Sequence, residues 1–349
     1  EAVGSYLASG LGVMMGSYVT SSELARKEVY VYERFQELCI RVFDYPRGRI
    51  DGLIDDYENS VGFKLEQAQR DAVHLLVNSC CAVTGSAGSG KTTVSNCMVY
   101  VLRHLERGID IKFSAPTGKS AKRMQEVVHE EVKTAHSLFR VGGDTANIFS
   151  EEQVTDKFCN TVFFFDEVAM FTLDLMYQVL RGIDTNNCRV YLFGDINQLP
   201  PIGKGMPFRD LLSSIPSVRL MVVKRQAEGS RITYNSNLIN CNSDVGCWRD
   251  LVYGSDFNLI RCTEADIAGN VVSLVENLIN EGIGKDDIQV VTPISKGSYT
   301  WGTVQLNRAL APVFNPNRSY GNSFVINDVV YAVGDRVVHT KNMYGMQWY

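Results

Sequence analysis

The stretch Val83-Thr84-Gly85-Ser86-Ala87-Gly88-Ser89-Gly90-Lys91-Thr92-Thr93 reads G-x-x-x-x-G-K-T, the pattern of a phosphate-binding loop. The short apolar run Cys81-Ala82-Val83 leads into it as a buried strand. The amphipathic stretch Thr93 to Leu105 leaves it as a helix. That context is the one the pattern requires. Glycines let backbone N–H groups approach phosphate oxygens, and the start of the helix faces the negative charge. Residues Gly85, Ser86, Ala87, Gly88, Ser89, Gly90, Lys91, Thr92 and Thr93 therefore form the expected nucleotide cradle. Lys91 reaches toward the β- and γ-phosphates, and the Thr92 hydroxyl ligates magnesium. The bland alternative is a glycine-rich turn before a helix.

Working outward, apolar strands alternate with helices. Leu65 to Val73 reads as a helix. Ile111 to Ala115 reads as a strand and Lys119 to Val128 as a helix. Thr161 to Phe165 is a strand, Thr172 to Leu180 a helix, and Arg189 to Phe193 a strand. Near-continuous apolar strands separated by helices imply a parallel sheet covered on both faces. The polar stretch Gly142 to Asp156 breaks the alternation as a surface excursion. A second alternation begins near residue 216, with strands at Phe257 to Arg261 and Ile288 to Val291 around a helix at Ala265 to Ile279. Tyr331 to Thr340 reads as antiparallel strands about a Gly334-Asp335 turn. Before all this, Ser22 to Val42 carries Leu24, Val29, Val31, Phe35, Leu38 and Val42 at helical spacing. Tyr45-Pro46-Arg47-Gly48 ends that helical module.

The 349 residues suffice for about two domains, and the balance of 45% hydrophobic to 21% charged residues is that of a soluble globular protein. No apolar run is long enough to span a bilayer, and no signal peptide is visible; the expected setting, read from the cysteines, is cytoplasmic. Nine scattered cysteines with no C-x-x-C pair read as reduced thiols, not as a zinc site or disulfide framework. A net charge of -5 offers no global field for nucleic acid, so such binding requires a local groove. The first residue is Glu1, which reads as a fragment or processed piece.

Two further elements follow the phosphate loop. In Val162-Phe163-Phe164-Phe165-Asp166-Glu167, four apolar residues bury a strand whose carboxyl end presents paired acids, where open α/β sheets bind ligands. Asp166 would hold magnesium, and Glu167 would orient or deprotonate the attacking water. A solvated strand end is the plainer reading of such a pair standing alone. In Gly194-Asp195-Ile196-Asn197-Gln198-Leu199-Pro200-Pro201, Gln198 can donate and accept, which suits sensing the γ-phosphate, and the prolines stiffen the loop. Its plainer reading is a Gly-Asp turn with a proline stop.

Phosphate loop, Asp-Glu and G-D-x-x-Q-L-P-P in this order resemble superfamily 1 helicases, and within them the RecD-like group of 5′-to-3′ movers. The resemblance covers residues 60 to 349. It implies two RecA-like P-loop domains with parallel sheets: residues 1–60 as the helical N-terminal module, 61–215 as the first domain with a pin excursion at about 140–158, and 216–349 as a second domain incomplete at its C-terminus. It implies ATP and Mg2+ as cofactors, Gln69 as reader of adenine, and Arg225 in Lys224-Arg225-Gln226-Ala227 as the arginine delivered to the γ-phosphate. Pro116, Thr117 and Lys119 of Ala115-Pro116-Thr117-Gly118-Lys119-Ser120-Ala121, and His136 of Thr134-Ala135-His136-Ser137-Leu138, are implied to contact single-stranded DNA. Lys122 and Arg123 read as a solvated helix face. Val291-Thr292-Pro293-Ile294, Leu306-Asn307-Arg308 and Gly334-Asp335-Arg336-Val337 resemble second-domain landmarks. Nothing after Gly334 matches the group's last two motifs, so the expected ATP site is short one arginine and the chain alone would turn ATP over poorly.

The resulting expectation is an ATP-driven helicase or translocase in a bacterial, phage or plasmid-encoded setting, acting on single-stranded DNA and single/double-strand junctions. The helical N-terminus would dock replication or recombination proteins. Two alternatives stay open: an RNA-directed superfamily 1 helicase, and a nucleotide-binding subunit that acts as a scaffold.

Overall fold

The computed structural model describes residues 2–86, 88–128, 130–140, 157–221, 230–241, 249–294, 299–318, 323–326 and 329–337. The chain forms two compact units, Glu1–Val252 and Tyr253–Tyr349.

The first unit opens with α1 (Ala2–Ala8), a hairpin of β1 (Gly12–Met15) and β2 (Tyr18–Ser21), then α2 (Ser22–Ile40) and α3 (Arg47–Val61). The Ser21 hydroxyl caps α2 by accepting from the Leu24 amide. Pro46 sits just before α3, where a missing N–H costs nothing, so the Tyr45–Gly48 breaker starts a second helix instead of ending the helical stretch. The remaining elements are α4 (Gln67–His74), β3 (Cys80–Gly85), α5 (Lys91–Leu105), β4 (Asp110–Ala115), α6 (Gly118–Val128), β5 (Val132–Thr134), α7 (Ala135–Leu138), β6 (Thr161–Phe165), α8 (Leu173–Arg181), β7 (Arg189–Gly194), α9 (Pro207–Leu211), β8 (Ser217–Leu220) and α10 (Arg231–Cys241).

Six strands form one parallel sheet in the order β5-β4-β6-β7-β3-β8. One row of paired residues crosses all six: Lys133, Ser114, Phe165, Leu192, Ala82 and Ser217. The register therefore brings the loops after every strand to one edge. The expected parallel sheet with both faces covered is present. Along β3, β6 and β7 every residue is buried, and successive residues alternate between two cores. Cys81, Val83, Phe164, Tyr191 and Phe193 face a core built with α3, α4, α5 and α6. Cys80, Ala82, Phe163, Phe165 and Leu192 face a core built with α2, α8 and α9. The first sixty residues thus straddle the sheet. Phe35 and Leu38 of α2 are fully buried on one face, and Ile50 and Ile54 of α3 on the other. Val29 and Val42, read as part of the apolar stripe, are exposed.

The unit also runs past the boundary expected near residue 216. β8 pairs with β3, and Asn235 of α10 exchanges two hydrogen bonds with the backbone of Val252 (2.8 and 2.9 Å). The excursion at Gly142 to Asp156 and the segment Lys224-Arg225-Gln226-Ala227 lie outside the described residues, as does Ala87.

In the second unit, α11 (Ile267–Asn280) and α12 (Thr303–Phe314) pack through Val275, Ile288, Leu306 and Leu310. The helix expected at Ala265 to Ile279 is present, and Leu306-Asn307-Arg308 lies on α12. Phe257 to Arg261 and Ile288 to Val291 do not form strands: Phe257 makes only an isolated antiparallel bridge to Gly254, and among the described residues no ladder extends from either run. The expected C-terminal hairpin sits earlier than read. β9 (Ser323–Ile326) pairs antiparallel with β10 (Val329–Ala332), and Val333-Gly334 is the turn that ends β10. Gly334 adopts φ of 91°, which ends the strand there. Among the described residues no helix is long and apolar enough to cross a membrane.

Candidate active site

Helix α5 begins at Lys91 directly after Gly90, which holds φ of 90°. A Cβ at Gly90 would lie 2.2 Å from Nε2 of Gln69, so glycine is required twice over, by dihedral and by space. Gly85 is similarly confined, because a Cβ there would meet the Leu220 carbonyl oxygen at 2.9 Å. The Lys91 ammonium donates to the carbonyls of Gly85 (2.6 Å) and Ser86 (3.2 Å), across the mouth of the loop.

Gln69, only 4% exposed, has both halves of its amide engaged. Its Oε1 accepts from the Glu66 amide (3.0 Å), one arm of the capping box that starts α4. Its Nε2 donates to the Ser89 carbonyl (3.1 Å) inside the phosphate loop. Gln69 therefore braces the loop from a helix that is itself held by Glu58 of α3. Glu58 is buried, accepts from the Leu65 amide (3.0 Å) and pairs with Arg70 (2.8 Å).

The acid pair sits two strands away at the same edge. The Asp166 amide donates to the Ser114 carbonyl (2.8 Å), which fixes the start of the loop. Burial pushes the Asp166 carboxyl up to about 6, and the neighbouring Glu167 charge adds to the rise. Lys91 and Arg123 act in the opposite direction. Glu167 is a non-glycine residue in the left-handed region (φ 50°, ψ 38°), a conformation that costs on the order of 1 kcal/mol. Its Oε2 is buried with no hydrogen-bond partner among the described residues. A strained residue with an unsatisfied buried carboxylate oxygen stands beside a carboxyl held above its ordinary range. Such a pair is built for a cation and its water more than for stability.

One cleft of about 590 Å³ joins these parts. Gln69, Gly88, Gly90, Lys91, Thr92 and Thr93 line one side, and Asp166 and Glu167 the other. Thr117, Lys119, Ser120 and Arg123, from the start of α6 and the turn before it, close a third wall. The expected cradle, acid pair and part of the expected strand-contacting segment therefore meet. Thr117 also caps α6, its hydroxyl and that of Ser120 lying 2.7 Å apart. His136 does not reach the cleft. It is exposed on α7, whose cap is the Thr134 hydroxyl. Because Ala115 pairs with Thr134, Pro116 and Ala135 stand side by side at the sheet edge. Gln198 is exposed on the loop after β7 and does not line the cleft; its amide donates to the Asp195 carbonyl (3.2 Å). Arg225 lies outside the described residues.

Phe63, Arg123, Met124 and Val127 line the cleft without a site role legible in the sequence. Arg123 is exposed, as a solvated helix face requires, and it follows Lys119 by four residues, a spacing that puts both on the face of α6 lining the cleft. Phe63, an aromatic just after the left-handed Gly62 that ends α3, also lines the cleft. It carries no periodic signal, so only its place beside the phosphate loop reveals it.

Residues 69–204 match the family described as AAA domain. The chain is 30% identical over 273 residues to the ATP-dependent RecD2 DNA helicase of Deinococcus radiodurans, an alignment that takes in 78% of this chain and 35% of the relative. Its relatives are RecD-like helicases, and the chain is similar to them over most of its own length. The RecBCD enzyme subunit RecD of Buchnera aphidicola subsp. Schizaphis graminum is 23% identical over 308 residues, covering 79% of this chain and 50% of that one. The chain thus spans between about a third and a half of the length of these two relatives. Among solved structures, the Pif1 helicase from Candida albicans is similar at 21% identity with a TM-score of 0.41, covering 64% of this chain and 56% of that one.

Proposed function

We propose that this chain is the ATP-hydrolysing part of a DNA helicase that moves along single-stranded DNA, 5′ to 3′, and opens duplex at a junction. The observation that carries the reading is the shared wall of the cleft. Thr117 and Lys119 belong to the segment implied to hold single-stranded DNA, and they line the same cavity as Lys91, Asp166 and Glu167. A change at the nucleotide phosphates can therefore move the segment that grips the strand, with only α6 between them. The direction of movement rests on the resemblance to the RecD-like group.

In this reading the loop amides and Lys91 hold the phosphates, and Lys91 leaves its two carbonyl partners to do so. The donor set fits magnesium, a hard cation that takes oxygen ligands: the Thr92 hydroxyl and the Asp166 carboxylate would hold it beside the unsatisfied Glu167 oxygen. When bound, the ion neutralises charge on the phosphate oxygens. Glu167 orients the attacking water and takes its proton. Phe63, which lines the cleft, receives the base, and Gln69 reads it by exchanging its bond to Glu66 or Ser89. Opening one base-pair step costs about 1.4 kcal/mol, a modest load for one hydrolysis event.

The test is ATP hydrolysis by the 349-residue chain with and without single-stranded DNA, alongside Lys91→Ala. The expected result is turnover stimulated by the strand and abolished by the substitution. Turnover indifferent to the strand, or surviving Lys91→Ala, would refute the reading.

A further inference from the structure

Arg123 is a cation in the nucleotide cleft that the function above does not use. It lies one turn into α6, which the buried Ala121 and Met124 anchor in the core beside the sheet, Met124 also lining the cleft. The helix is thereby fixed, and the face that carries Lys119 and Arg123 is turned to the cleft. Arg70 and Arg189, both packed in the first unit, have acid partners: Arg70 pairs with Asp55 and Glu58, and Arg189 with Glu106, whereas Arg123 is exposed to the cleft. Arg123 has no hydrogen bond or ion pair among the described residues. The acids that share its cleft, Asp166 and Glu167, stand beyond ion-pair distance, yet the charge of Arg123 is close enough to act on Asp166. It therefore belongs to the acid end of the cavity. A guanidinium held on a packed helix, facing a cavity and left without a carboxylate, is arranged for an anion that arrives from outside. Its planar fork matches phosphate oxygens.

Resting on the ATP reading above, we infer that Arg123 binds the terminal phosphate of ATP and thereby distinguishes the triphosphate from the diphosphate. Lys91 and the loop amides serve the phosphates from the start of α5, and Arg123 shares the cavity with Lys91 and the acid pair, where it would meet the last phosphate. The sensor sits on the same helix as Lys119, so loss of the terminal phosphate is reported directly to the segment implied to hold DNA.

Equilibrium binding of ATPγS and of ADP, each with magnesium, to the intact chain and to Arg123→Ala and Arg123→Lys tests this. The expected result is a loss of about tenfold or more for ATPγS in Arg123→Ala, less than about twofold for ADP, and partial recovery in Arg123→Lys, with an unchanged melting temperature because the side chain is exposed. Equal losses for the two nucleotides, or no loss for either, would overturn the assignment while leaving the ATP reading intact. If the unsubstituted chain bound neither nucleotide, the ATP reading would fail and the assignment with it.

Discussion

Asp166 shows at the scale of one side chain what the site demands of the fold. Its carboxyl titrates near 6 in the folded chain because burial, then Glu167, oppose its charge, against an ordinary value near 4. Between those values the folded chain holds a proton that the unfolded chain has released. Stability from this group is therefore greatest below pH 4 and falls as pH rises through 6. Asp166→Asn removes the buried charge. We expect the variant to lose hydrolysis yet gain about 2 kcal/mol in urea unfolding at pH 7.5, with the gain gone near pH 4. An equal change at both pH values, or none at pH 7.5, would contradict this. Glu167 belongs to the same pattern, with its left-handed backbone and unsatisfied oxygen. The sequence made the pair legible, since four apolar residues before two acids can only end a buried strand. It did not make the strain legible, because nothing in Asp-Glu announces a positive φ.

Among the elements, β3, β6 and β7 could be read almost to the residue because burial on both faces leaves a continuous apolar run. β5 and β8, three and four residues at the two edges of the sheet, carry no such run and went unread. Nor could the apolar runs near Phe257 and Ile288 reveal that no ladder extends from them among the described residues. The stripe on α2 was readable, but not what it packs against. Periodicity gives a face and leaves its neighbour unspecified. That neighbour is the sheet. Phe35, Leu38, Ile50 and Ile54 are wholly buried in its two cores, each worth about 1.5–3 kcal/mol. Removing residues 1–60 should therefore leave a chain that aggregates or melts far lower, measured by soluble yield and thermal unfolding. A residue 61–349 chain that folds with an unchanged melting temperature would show that these helices are a detachable module.

At the scale of the whole molecule, the candidate site is a consequence of register. One row of paired residues crosses six strands, and the loops beyond it hold the phosphate loop, the acid pair and the segment from Pro116 to Lys119. The sequence supplied the motifs in order but not their shared cavity, and Arg123 and Phe63 came to light only when the cavity closed around them. The central claim is that the state of the nucleotide sets the grip on the strand. The most direct measurement is the affinity of the chain for a single-stranded oligonucleotide, by fluorescence anisotropy, with magnesium and either ATPγS or ADP. Coupling through α6 predicts affinities that differ by about fivefold or more, and a Lys91→Ala variant in which the difference is gone. Equal affinities in the two nucleotide states would contradict it.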